Sequence, residues 1–278
     1  QSSAASSSAM QFYNGTAWKN FVNKTPIPLG SDNFNTVLYT GNGGTQAITG
    51  AGFEPDFTWI KQRSGGASHS LQDSVRGAGQ SKNIYSDNTA AEGTYGQYGY
   101  LSAFGTDGFT VVQGSGSHTN ANSSTYVAWN WKAGGAAVSN TDGSITSQVS
   151  ANTAAGFSIT KFVGDGGSSK TIGHGLTIQP NLVIFKRLNG AVNWFVFFKP
   201  ASGNTTGFEG LNTTNAAFST NYTTFQPSTT TMTTNGVTAD FNGNGNSYIM
   251  YSFHSVAGYS KIGSYTGTGS DLSVNVSF

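Results

Sequence analysis

Hydrophobic and polar residues alternate along this chain with the period of β-strands. In Tyr126-Val127-Ala128-Trp129-Asn130-Trp131-Lys132, residues Val127, Trp129 and Trp131 fall on one face of an extended segment, and Tyr126, Ala128, Asn130 and Lys132 on the other. The design returns in Tyr248-Ile249-Met250-Tyr251-Ser252-Phe253-His254, where Ile249, Tyr251 and Phe253 occupy the corresponding slots. An aromatic stripe can be a sugar-stacking platform, but at strand spacing it more often forms the core of a sheet. Trp129, Trp131, Tyr251 and Phe253 are therefore expected as structural anchors of the fold, together with Trp59 and Trp18.

Around these two strands, two units repeat the same order of strands and turns. In the first, Thr36-Val37-Leu38-Tyr39-Thr40 runs into Gly41-Asn42-Gly43-Gly44, then Pro55, the strand Phe57-Thr58-Trp59-Ile60-Lys61, and Asp107-Gly108-Phe109-Thr110. In the second, Ile159-Thr160-Lys161-Phe162-Val163 leads to Gly164-Asp165-Gly166-Gly167, Pro180, Leu182-Val183-Ile184-Phe185-Lys186 and Asn235-Gly236-Val237-Thr238. Recurrence of several elements at matched spacing is stronger than any single match. The division expected is an arm and hairpin stem over 1–30, a first β repeat over 31–135, a linker over 136–153, a second repeat over 154–257 and a partial third over 258–278. In the stem, Asn14-Gly15 between aromatic runs signals a hairpin, with Trp18 packed on Phe12 or Tyr13. In the partial repeat, Val274, Val276 and Phe278 would share one face of a strand. That face is expected to pair with an edge of the second unit or of a neighbouring subunit, unless a third unit continues beyond Phe278. No amphipathic helix of useful length appears, so the fold expected is all-β: tandem antiparallel β-sandwich-like repeats on a short N-terminal stem.

Composition narrows the function. Only 9% of the 278 residues are charged, while 13% are aromatic and 38 are Gly, which fits short strands joined by many turns and not a disordered chain. A net charge of +1 with scattered Lys and Arg argues against nucleic acid as a partner. The absence of cysteine excludes disulfides and thiolate chemistry. No apolar run is long enough for a membrane-spanning helix.

Three segments carry a family resemblance: Asp73-Ser74-Val75-Arg76-Gly77-Ala78, Thr106-Asp107-Gly108-Phe109-Thr110, and the strand from Tyr126 continued through Ala133-Gly134-Gly135. They resemble the tandem-repeat domain of tail fibre and virion structural proteins of marine tailed bacteriophages, and Phe12-Tyr13-Asn14-Gly15-Thr16-Ala17-Trp18 is similar to a short motif of phage fibres. The resemblance implies a virion location on the exterior of the particle. The second unit departs from it, with Phe198-Lys199-Pro200-Ala201-Ser202 in place of the Asp73 to Gly77 segment. An Asp73–Arg76 pair would be a local turn brace, contributing ~0–1 kcal/mol if exposed.

Residues that could carry chemistry fall into ordinary roles. Glu54 and Asp56 are close, but Gln179 and Asn181 replace them in the second unit, so a glycosidase pair is not expected. His69, His118, His174 and His254 lack zinc spacing, and one acid in each turn, Asp142 or Asp165, is a weak calcium signal. No catalytic residue, metal site or cofactor is therefore nominated. The expected function is host-surface attachment through loops 64–70, 95–100 and 203–214, with Ser64, His69, Tyr95, Tyr98, Tyr100, Asn204 and Asn212 as candidate binding residues. The expected partners are other virion proteins, further copies in a homotrimer, and a host-cell surface glycan or protein, with no nucleic acid and no membrane insertion. The alternatives are a capsid-decoration or tail-assembly protein without receptor binding, an outer-membrane β-barrel suggested by the alternating C-terminal residues, and a glycan-degrading enzyme.

Overall fold

The computed structural model describes residues 11–13, 16, 18–20, 30–199, 207–214, 225–234 and 240–276. An N-terminal hairpin pairs β1 (Gln11–Tyr13) with β2 (Trp18–Asn20) as a sheet of its own. The side-chain packing expected of Trp18 on Phe12 or Tyr13 lies outside what the structure describes.

The first unit opens with a four-residue helix, α1 (Gly30–Asn33), and continues through β3 (Phe34–Thr40), β4 (Thr45–Thr49), β5 (Phe57–Gln62), β6 (Ser70–Asp73), β7 (Ile84–Tyr85), β8 (Gly99–Gly105), β9 (Gly108–Gln113) and β10 (Thr125–Trp131). Its larger sheet has the order β3-β10-β5-β6-β7, and its smaller sheet β4-β9-β8. The second unit contains β11 (Val138–Asn140), β12 (Ser147–Asn152), β13 (Phe157–Val163), β14 (Lys170–Gly173), β15 (Leu182–Arg187), β16 (Phe195–Phe198), β17 (Gly207–Gly210), β18 (Phe225–Pro227), β19 (Thr231–Thr234) and β20 (Ser247–Phe253). Its sheets run β11-β12-β13-β20-β15-β16-β17 and β14-β19-β18. All the strand pairings are antiparallel, and the fold is the all-β, sandwich-like one expected from the alternation.

The repeat is exact at the centre of each sandwich. β10 lies between β3 and β5 as β20 lies between β13 and β15, with Tyr126 opposite Tyr39 and Tyr248 opposite Phe162. Each larger sheet packs one face on its own smaller sheet. Ile60, Tyr126 and Ala128 meet Ile48, Leu101 and Val111 in the first unit, and Phe162, Phe185 and Tyr248 meet Ile172 and Met232 in the second.

Two expectations change. Val127, Trp129 and Trp131 do not line the first sandwich; that face of β10 belongs to Tyr126, Ala128 and Asn130, while the Trp-bearing face is half-buried. The aromatic faces of the two larger sheets instead turn toward each other, so that Phe57, Leu71, Ile84, Phe157, Ile249 and Tyr251 form a third core between the units, with Trp59, Trp131 and Phe253 against it. Residues 136–153 are no linker, because they supply β11 and β12, which extend the second sheet past β13. Within the described chain the C-terminal segment joins no sheet, and Leu272, Val274 and Val276 remain 45%, 48% and 40% exposed.

Candidate functional site

Loop 95–100 is fastened to one buried tyrosine of the first unit. Tyr85 Oη donates to the Tyr95 carbonyl at 2.8 Å and accepts from Asn83 Nδ2 at 3.0 Å, while His118 Nδ1 lies 3.1 Å away. The hydroxyl has one proton, already given to Tyr95, so His118 Nδ1 carries the hydrogen of that contact. Tyr95 stacks on Tyr98 with ring centroids 5.8 Å apart, and Tyr98 meets His118 edge-on at 5.3 Å. Burial raises the Tyr85 phenol above its ordinary value, with Asp87 adding to it.

The neighbouring loop is fixed on the aromatic face of β5. Trp59 Nε1 donates to His69 Nδ1 at 2.8 Å, Trp59 meets Trp129 edge-on, and the His69 backbone N–H reaches Asp87 Oδ1 at 3.3 Å. Burial lowers the His69 pKa, with Asp87 opposing and Lys61 reinforcing the shift. Of the other sequence candidates, Ser64 is exposed and its Oγ accepts the Thr125 N–H, while Tyr100 is half-buried on β8 and not in a loop. Asn212 Oδ1 accepts the Trp194 N–H at 2.8 Å, and Asn204 lies outside the described residues. Trp194 joins the groups, because its fully buried indole donates to the Tyr85 carbonyl at 2.7 Å. Tyr85 thus holds loop 95–100 on one side and the second unit on the other.

Beside it lies a buried ionic cluster. Arg76 Nε donates to Asp73 Oδ2 at 2.5 Å, Arg76 Nη1 to Glu92 Oε1 at 3.0 Å, and Tyr251 Oη of the second unit to Asp73 Oδ2 at 2.7 Å. The side chains of Arg76 and Asp73 are both fully buried. Burial opposes the Arg76 charge, but Asp73, Tyr251 and Glu92 outweigh it and hold the guanidinium above its ordinary value. The pair is therefore no exposed brace, and the second unit, which lacks it, contributes Tyr251 to the same cluster. Lys186, also buried, reaches the carbonyls of Arg187, Gly190 and Val192 and crosses to Thr89 of the first unit at 3.3 Å; burial pushes its ammonium down to about 8.

A second feature escaped the sequence reading. In each unit a buried asparagine braces the glycine turn: Asn120 Oδ1 accepts the Asn42 N–H and its Nδ2 reaches Gly44 O, while Asn242 does the same for Asp165 and Gly167. The signal was present as Asn120-Ala121-Asn122 and Asn242-Gly243-Asn244, each placed before the Tyr that opens the anchor strand. The Asp165 carboxylate is therefore engaged in a turn, accepting from Gly167 N and Asn242 Nδ2. Asp56 is likewise buried, accepting from Ser74 Oγ and the Ala133 N–H, whereas Glu54 is exposed.

Between the two larger sheets, a cleft of about 410 Å³ is lined by Phe34, Phe57, Trp59, Trp131, Phe157 and Phe253 among other mostly apolar residues. No carboxylate lines it among the described residues, nor do these contain a group of three or more His, Asp or Glu able to hold a metal ion. No helix among them is long and apolar enough to cross a membrane. The arrangement provides hydrogen-bonding and stacking groups on a fixed frame.

No curated protein and no solved structure is detectably similar to this chain. Residues 29–276 match the domain of unknown function DUF7483, and the chain belongs to that family.

Proposed function

We propose that this protein is a non-catalytic structural component of a tailed-phage virion, part of a tail fibre or tail appendage, which presents loops 64–70 and 95–100 to the host-cell surface. The observation that carries the reading is the anchoring of those loops. Loop 95–100 is held by Tyr85 and loop 64–70 by Trp59 through His69, and Tyr85 is fastened to the second unit by Trp194. Polar and aromatic groups on a frame already fixed lose little entropy on meeting a partner, and weak sites on a homotrimer, or on many copies, add through effective concentration. Tyr95, 37% exposed and backed by Tyr98, is suited to stacking on a sugar ring or an apolar protein surface. The virion placement is supported by the motif resemblance at 73–78, 106–110 and 126–135.

The test is binding of the purified protein to host cells, with loops 64–70 and 95–100 then replaced by Gly-Ser sequences. We expect binding to be lost, and Tyr95→Ala to reduce it at least several-fold with the thermal midpoint retained. Full binding after both replacements would overturn the attachment role. Absence of binding, together with burial of the same loops in the assembled particle, would favour a decoration or tail-assembly role.

A further inference from the structure

We propose that the free edge of β3 is completed by the N-terminal hairpin β1–β2 of a second copy of this chain. The inference starts from the repeat. β3 and β13 have the same length and pair with β10 and β20 in the same register, so Leu38 corresponds to Lys161. On its other side, Lys161 faces Gln148 of β12, and β11–β12 is a hairpin lying immediately upstream of its unit. The first unit is also preceded by a hairpin, and among the described residues β1–β2 pairs only with itself and β3 has no partner but β10. A two-stranded hairpin alone is marginal in water, and an open edge is a template for strand addition.

The open groups on that edge can be identified. The Thr36 N–H is met by Asn35 Oδ1 at 2.9 Å, and the Thr40 carbonyl by Gln46 Nε2 at 3.2 Å. These two bonds show that alternate residues 36, 38 and 40 point their amides away from β10. Each end is met in part by a side chain, while Leu38 in the middle has no partner for its outward N–H or carbonyl among the described residues. Its side chain is 61% exposed, and β3 carries no charge and no proline to discourage pairing. The three-residue β2 matches the length of the gap.

The connection between the elements favours a neighbouring copy. β12 returns to β13 through residues 153–156, whereas residues 21–33 separate β2 from β3 and can span on the order of 40 Å when extended. A hairpin passed from each copy to the next is a head-to-tail contact, and where the rotation between copies closes it forms a ring such as a trimer. The inference deepens the multi-copy reading above, but its test is independent of host binding.

The full chain has no cysteine, so Lys19→Cys and Leu38→Cys can be introduced singly into differently tagged copies, mixed through an unfolding and refolding cycle, and bridged with a short bis-maleimide. We expect cross-links between the two tags and an associated species in sedimentation at tens of micromolar. Leu38→Pro and Thr40→Pro each remove only an outward-facing N–H of the edge. Each is expected to reduce the associated species to single-chain mass with the thermal midpoint retained, and agreement between them guards against misfolding of either. The proposal is overturned if the unmodified chain sediments as a monomer, if both proline variants associate like the parent chain, or if a copy carrying both cysteines cross-links only within its own chain. That last outcome would mean that the hairpin covers its own β3.

Discussion

His69 and His174 both use Nδ1 as an acceptor, from Trp59 Nε1 at 2.8 Å and from the Leu176 N–H at 3.2 Å. An indole or backbone N–H can only donate, so each ring must carry its proton on Nε2 and stay neutral for the contact to exist. Burial lowers the pKa of both, as it does for His118. An unfolded histidine titrates near ~6.5. Below that pH the unfolded chain takes up protons that the folded chain resists, so stability present above ~6.5 is lost as the pH falls toward the folded values. The thermal midpoint is expected to be lower at pH 5 than at pH 7.5, with a change in tryptophan emission as Trp59 loses its acceptor. A midpoint that is level over this interval, measured by scanning calorimetry, would contradict the assignment. None of this was legible in the sequence: spacing excluded a zinc motif, but a histidine's hydrogen-bond partner in another loop has no spacing to detect.

At the scale of the element, the glycine turns after β3 and β13 show how a short motif depends on a distant residue. A Cβ on Gly41 would stand 2.3 Å from the Ala121 carbonyl oxygen, and one on Gly164 2.5 Å from that of Gly243, so in each unit the turn lies directly against the loop before the anchor strand. Asn120 and Asn242 join the two loops. Asn120→Ala and Asn242→Ala should each destabilise the protein by ~1–3 kcal/mol, because turn amides and carbonyls are left buried without partners. Asn122→Ala, at an exposed position, should change it by no more than ~0.5 kcal/mol. Urea denaturation of the three variants checks the contrast, and equal effects would show that the brace carries no weight. The turns themselves were readable from their glycines. The hairpin β11–β12 was not, because its buried positions include serines whose Oγ atoms bond to Gly173 O and Gly134 N. Burial compensated by hydrogen bonds leaves no apolar alternation for a sequence reading to find.

For the molecule as a whole, the third core makes the two sandwiches one cooperative body. Arg76, Asp73 and Tyr251 seal it ionically, and Trp194 and Lys186 reach across it. Calorimetry is expected to show a single unfolding transition. Arg76→Met leaves the Asp73 carboxylate buried with only Tyr251 and a backbone N–H, a loss of ~3–5 kcal/mol in which the transition broadens or splits. Two separated transitions in the unsubstituted chain would mean that the third core does not couple the units.

The sequence by itself determined the two anchor strands and the strands beside them, the glycine turns, the all-β class and the order of elements repeated in each unit, since these depend on side-chain alternation and on backbone conformations that few residues permit. Only the tertiary structure decided which face of each strand meets which neighbour. Alternation divides β10 into two faces but does not say whether Trp131 lies inside a sandwich or between two of them. β20, buried on both faces, hardly alternates in burial at all. For the same reason Asp73 and Arg76, three residues apart and outwardly a surface turn, become the buried centre of the molecule: the surface that covers them, Tyr251, lies some 175 residues further along the chain.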